Sequence, residues 1–202
     1  AYAGLIAGRE TRGLRSAGGQ PIDVPASGSY MALLSKHHVV LDPAERRDRI
    51  AADVQRLASG VGGEIPDDIE LLAEIANLVE CPTVFLGEFE SEFLQLPQPV
   101  LIAVMKKQQR YFPVAKDGML LPYFVGVRNG TAGNLDLVVD GNEQVIRARF
   151  ADASYFVRQD RERTLTEFRV ELGRLAFQQQ LGSMLEKSER IEKLTGTLVA
   201  LL

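Results

Sequence analysis

Two groups of cations are the residues of this chain best placed to do chemistry. Arg9, Arg12 and Arg15 stand among Gly8, Gly13, Gly18 and Gly19, with Glu10 the one acid in the stretch. Glycines let a backbone approach a ligand and arginines supply forked donors, so the stretch reads as a phosphate-facing loop or as a solvated turn. The Gly-x4-Gly-Lys-Ser/Thr spacing of a P-loop is missing. Lys106, Lys107 and Arg110 form the second group, beside Tyr111 and Phe112. Cations meeting phosphates with rings stacking on bases would suit RNA; equally, cations favour a helix C-terminus and Tyr-Phe suits a buried strand.

Arg149 poses a different question. Gly141–Asp160 carries Ile146, Phe150, Ala153 and Val157 at helical spacing, with Val145 and Phe156 beside them. At 100° per residue Arg149 projects into that arc, between Ile146, Ala153 and Phe156. A guanidinium there needs a partner. The expectation is a structural Arg149, mostly buried and paired with a carboxylate or backbone carbonyls, with Arg147 and Arg158 outside.

Other chemistries find little support. Cys81, the single cysteine, precedes Pro82 in an apolar stretch and reads as a small buried hydrophobe in a reducing, cytoplasmic setting. His37 and His38, the only histidines, are adjacent and point to different sides of a helix, so no metal site is expected. For hydrolysis, His37, His38, Glu88 and Asn129 offer polar groups without a recognisable arrangement, and no catalytic residue is assigned. A net charge of -4 argues against bulk nucleic-acid binding while leaving room for a local basic surface. No apolar run approaches a bilayer span and the N-terminus lacks a leader pattern, so no membrane partner is expected.

The elements that must position these groups are legible in turn. Ser27 or Ser29 caps a helix over SGSYMALLSKHH, followed by a short strand at Val39–Leu41. Asp42 caps a helix from Pro43 to the glycines at 60–63, in which ERRDR is a solvated face; Asp67 caps the next. TVFLGEF is a strand with Gly87 a bulge or close-approach site. A helix then buries Leu101, Val104, Met105 and Gln108 and turns Lys106, Lys107 and Arg110 away. Asp117-Gly118 joins two strands in a hairpin and Asn129-Gly130 closes the second. Thr164 caps a helix broken near Gly173, and Ser183 starts a last one, whose seam of Ile191, Leu194, Leu198 and Leu201 still runs at the end, as at the edge of a segment of a longer protein. This order predicts an α+β fold with a mixed or antiparallel sheet, packed helices and a trailing C-terminal helix.

GRETRGLR, KKQQRYFPVAKDGMLLPYFVGVRNG, GNEQVIRARFADASYFVRQDR and QQQLGSMLEKSERI resemble, in order and spacing, the β subunit of the bacterial heterotetrameric glycyl-tRNA synthetase, over nearly the whole chain. The resemblance implies a central portion of that subunit, similar in fold to the B3/B4 domain of the phenylalanyl-tRNA synthetase β subunit. It would comprise residues 1–182, with 183–202 a helix leading to an HD-type domain outside the chain. It also implies a role in glycylation of tRNA, with an α subunit as partner in an α2β2 assembly, glycine tRNA as substrate, and ATP and Mg²⁺ as cofactors of the whole enzyme but none of this portion. Arg9, Arg12, Arg15, Lys106, Lys107 and Arg110 are then the expected tRNA-binding cations. Deacylation of mischarged tRNA, or a spacer role without RNA contact, are the alternatives. Two positions depart from the family: Leu14 stands where a His is usual, and Lys107-Gln108 where His-Gln is.

Overall fold

A computed structural model describes residues 3, 4, 6, 8–15 and 18–201. By internal contacts the chain divides into two compact units, Ala1–Ala153 and Ser154–Leu202.

The first unit opens with an antiparallel pair, β1 (Glu10–Arg12) and β2 (Pro21–Asp23). A 3-10 turn at Ser27–Ser29 leads into α1 (Tyr30–Lys36); neither serine caps it, the Ser29 hydroxyl donating instead to Ala26 O. The strand expected at Val39–Leu41 does not form. Val40 N–H donates to Glu80 O at 2.8 Å, a single bond where a strand would need a ladder. α2 (Pro43–Gly60) starts as its sequence dictates, Asp42 accepting from Ala44 N–H with Pro43 in the first turn. α3 (Ile69–Leu78) is capped by Asp68 through Leu71 N–H, one residue later than expected.

The centre is a three-stranded antiparallel sheet, β3 (Pro82–Glu88), β4 (Phe112–Lys116) and β5 (Met119–Asn129), ordered β3-β5-β4. The β4–β5 hairpin turns at Asp117-Gly118, both with positive φ, as a twist-matched two-residue turn requires. Side chains alternate between faces at the period of a strand. Val84, Leu86, Phe112, Val114 and Val125 join Ile50, Val54 and Ala58 of α2 and Leu71, Ile75 and Ala76 of α3 on one side. Phe85, Leu120 and Phe124 join Leu101, Met105, Ile146 and Phe150 on the other. That second layer comes from α4 (Gln98–Ala103), a π-helical turn at Val104–Gln108, and α5 (Leu135–Arg161).

Gly87 proves to be a close-approach site within an unbroken register. It faces Phe124, and Gly126 faces Phe85, so each ring lies over the glycine opposite. A Cβ on Gly87 would sit 2.4 Å from Phe124 Cζ, and one on Gly126 2.3 Å from Phe85 Cζ. The missing side chains are what let two rings pack edge to face at 6.4 Å.

The second unit holds the end of α5, α6 (Leu165–Glu171), a 3-10 turn, the short pair β6 (Ala176–Gln178) and β7 (Gly182–Ser183), and α7 (Met184–Val199). Thr164 and Ser183 start α6 and α7 as expected, each in a reciprocal capping box with the Glu three residues on. The architecture is α+β with antiparallel sheets, in agreement with the sequence.

Candidate nucleic-acid interface

The cations around residues 106–110 are set by a backbone that the sequence did not reveal. α4 widens into the π turn, and Arg110 follows with φ of 56°, a left-handed conformation uncommon for arginine. Widening shifts the register, so Leu101, Val104 and Met105 are buried as expected while Gln108 is exposed. Lys106 does not point away: its ammonium pairs with Asp68, whose other oxygen caps α3. Burial raises the Asp68 carboxyl, but the Lys106 hydrogen bond, the Leu71 N–H and the Lys106 charge together leave it below its ordinary value. Arg110 Nε donates to Glu74 Oε1 at 2.6 Å. Lys107 is exposed and without an ion-pair partner among the described residues. Tyr111 is no free stacking ring: it is buried, stacks on Phe124 at 4.5 Å, and donates to Asn142 Oδ1 at 2.5 Å. Burial pushes its phenol up to about 12, which keeps it a neutral donor.

The N-terminal arginines divide in a similar way. Arg9 donates to Val24 O and Pro25 O and lies 3.8 Å from Asp23, which ties β1 to the chain after β2. Arg12 and Arg15 are exposed and unpaired among the described residues. Between them and the core, Leu14 is buried with Leu34, Val39 and Cys81, where burial pushes the thiol pKa up.

Arg15 lines a cleft of about 500 Å³ with Arg46, Asn77, Glu80 and Asn129. Arg46 was expected on a solvated face and is instead a half-buried staple. Its Nε donates to Ala76 O at 2.9 Å, and its Nη1 to Val40 O at 2.6 Å and Leu41 O at 2.8 Å. One guanidinium thus joins α2, the loop before it and α3. Asn129 Oδ1 accepts from Glu80 and Cys81 N–H and closes the entry to β3.

The six expected cations do not share one concave site. Arg9, Arg15 and the Lys106–Lys107 pair line three different clefts. The last two clefts lie at opposite ends of α3, whose ten residues span roughly 15 Å. The polar groups considered for hydrolysis are also apart. His38 lines a cleft with Asp42 and Glu45, while Glu88 and Asn129 stand at opposite ends of the β3–β5 ladder, roughly 20 Å from one another. Among the described residues, no three of His, Cys, Asp or Glu come together as a metal site.

A family model described as the glycyl-tRNA synthetase beta subunit matches residues 1–202. This chain belongs to that family. It is 45% identical over 97% of its length to a glycine–tRNA ligase beta subunit of Desulforudis audaxviator, covering 29% of that protein. The corresponding figures are 41%, 97% and 28% for the Clostridioides difficile protein of the same name, and 43%, 98% and 28% for that of Moorella thermoacetica. The chain therefore spans less than a third of the length of these relatives.

In this member of the glycyl-tRNA synthetase β subunit family, the block from Gly141 to Asp160 lies within α5, but its arginines trade the roles expected of them. Arg149 is exposed and has no hydrogen-bond or ion-pair partner among the described residues. Arg147 is the half-buried one, with Nε 2.5 Å from Glu90 Oε1. Val145 and Phe156, counted into the apolar arc, are 42% and 63% exposed. Removing them centres the arc on Ile146, Phe150 and Ala153, extended backwards by Val139 and Leu135, and leaves Arg149 at its rim.

Proposed function

We propose that this chain is the part of a glycine–tRNA ligase β subunit that contributes tRNA contact and subunit organisation to ATP-dependent glycylation, in the cytoplasm and alongside an α subunit in an α2β2 assembly. Membership in the family over the whole chain carries this reading. On this reading ATP and Mg²⁺ serve the whole enzyme, and no cofactor is assigned to this portion. The two-sided packing of an antiparallel sheet is compatible with the B3/B4-like module expected for 1–182, with 183–202 leading onward.

Of the six cations, Arg12, Arg15 and Lys107 are exposed with no partner among the described residues, and these are the proposed phosphate contacts. Arg9, Lys106 and Arg110 spend their charge on Asp23, Asp68 and Glu74 and hold the fold that presents the other three. Reversing Arg12, Arg15 and Lys107 to Glu in the whole enzyme should weaken binding of glycine tRNA and flatten its salt dependence by about 0.7–0.9 per lost phosphate contact. Wild-type affinity and slope would reject the RNA role and leave the spacer reading.

A further inference from the structure

The cleft between the start of α2 and the end of α3 collects hydrogen-bond donors that the fold does not use. Arg15 has no partner among the described residues. Arg46 satisfies three carbonyls through Nε and Nη1, and its Nη2 donates to none of the described groups. Asn129 spends its oxygen on Glu80 and Cys81 N–H, while its amide nitrogen has no acceptor among the described residues. Asn77, on the exposed side of α3, makes no side-chain hydrogen bond among them. Glu80 is the one carboxylate in the lining, so two guanidinium groups leave it net positive on a protein whose total charge is -4.

We infer that this cleft is a nucleotide-sized RNA site, in which Arg15 and the free edge of Arg46 hold a phosphodiester and Asn77 and Asn129 donate to the adjoining ribose or base edge. The inference rests on the tRNA reading above and adds a place to it. Arg46 is immobilised by its three carbonyls, so its free edge is offered at little further cost in order, whereas Arg15 supplies the mobile half of the clamp. At about 500 Å³ the cleft has room for a unit the size of one nucleotide and none for a duplex. The partner is therefore an unpaired nucleotide of the RNA.

Two substitutions test this in the whole enzyme without touching the hydrogen bonds of the fold. Arg15→Glu removes one fork, and Asn77→Asp exchanges an amide donor to the ribose or base edge for a negative charge. Each should leave thermal melting unchanged, weaken glycine tRNA binding about tenfold, and in the Arg15 variant lower the salt slope by about one. Wild-type affinity in either variant overturns the site. If that happens while the triple reversal of Arg12, Arg15 and Lys107 still weakens binding, the cleft fails and the broader tRNA reading stands; if the triple reversal is also silent, both fail. A free mononucleotide presents the same chemistry. AMP binding to the full-length β subunit alone that is lost in Arg15→Glu, with tRNA affinity unchanged, would make this a mononucleotide site and overturn the RNA assignment.

Discussion

Residues up to Ala153 and residues from Ser154 solve the problem of holding helices in place differently, although α5 runs through both. Among the described residues every buried hydrophobic side chain lies in the first unit, and none from Ser154 to Leu201 is buried. The first is two layers of helix clamped on a sheet, the second a set of capped helices tied by exposed contacts. Arg163 reaches Glu171 at 2.8 Å, Arg169 on α6 reaches Glu192 on α7 at 2.6 Å, and the Lys187 ammonium lies 4.0 Å from the ring centre of Phe177. Contacts of that kind are worth little individually, whereas each buried aromatic is worth several kcal/mol. Order without a core rests on local signals, and those are the ones a sequence carries most openly.

The largest test of this contrast lies along α5. Phe150 is 0% exposed, touching Phe89 at 4.9 Å between ring centres, and Phe156 six residues later is 63% exposed. Phe150→Ala should cost about 3–5 kcal/mol in chemical denaturation and Phe156→Ala within about 0.5 kcal/mol. Similar losses at both sites would dissolve the distinction.

Next in size is the arginine staple. Arg46→Ala leaves three carbonyls without their donor and should destabilise the first unit by about 2–3 kcal/mol, while Arg149→Ala should lie within about 0.5 kcal/mol. Thermal melts of the two variants side by side would show whether the structural arginine is the one on α2 or the one on α5.

Smaller again is the effect of a cap. Ser183→Ala should cost about 1 kcal/mol, visible as faster amide exchange along α7 and with no change in the sheet of the first unit. Exchange rising equally in β5 would contradict a local role for this cap.

Acid supplies the mildest perturbation. The folded pKa of Asp68 is below its ordinary value, so its pair with Lys106 contributes fully above pH ~4 and is lost as pH falls through the lowered folded value. Asp68→Asn keeps an oxygen for the Leu71 N–H but gives up the ion pair, so the variant should be less stable than wild type near neutrality and converge with it as pH falls through that acid window. An unaltered acid limb in this variant would show that the pair contributes nothing measurable.

What could be read from sequence follows the same division. Asp42, Thr164 and Ser183 cap their helices where expected, and Asp117-Gly118 makes its hairpin, because a cap or a tight turn is decided within four residues. The role of Arg46 is not legible in ERRDR, because its acceptors include Ala76 O, 30 residues away, and nothing in that run marks one arginine as different from the next. Arg149 departs from its expected place because Val145 and Phe156 are apolar without being buried. The π turn leaves no mark in composition, yet it decides that Lys106 faces Asp68. Of the candidate interface, the residue types are visible in the sequence; which cations are already engaged is not, since ion pairing between α3 and the segment from Lys106 to Arg110 is a tertiary fact.

Photo-cross-linking of glycine tRNA to the whole enzyme, with the adducts mapped to peptides, tests the central claim most directly. The proposal predicts adducts on the peptides carrying Arg12 and Arg15 and on the end of α3 around Asn77, together with a further adduct on the peptide carrying Lys107. Labelling of the β subunit elsewhere, with both of the first two peptides unmodified, would contradict it.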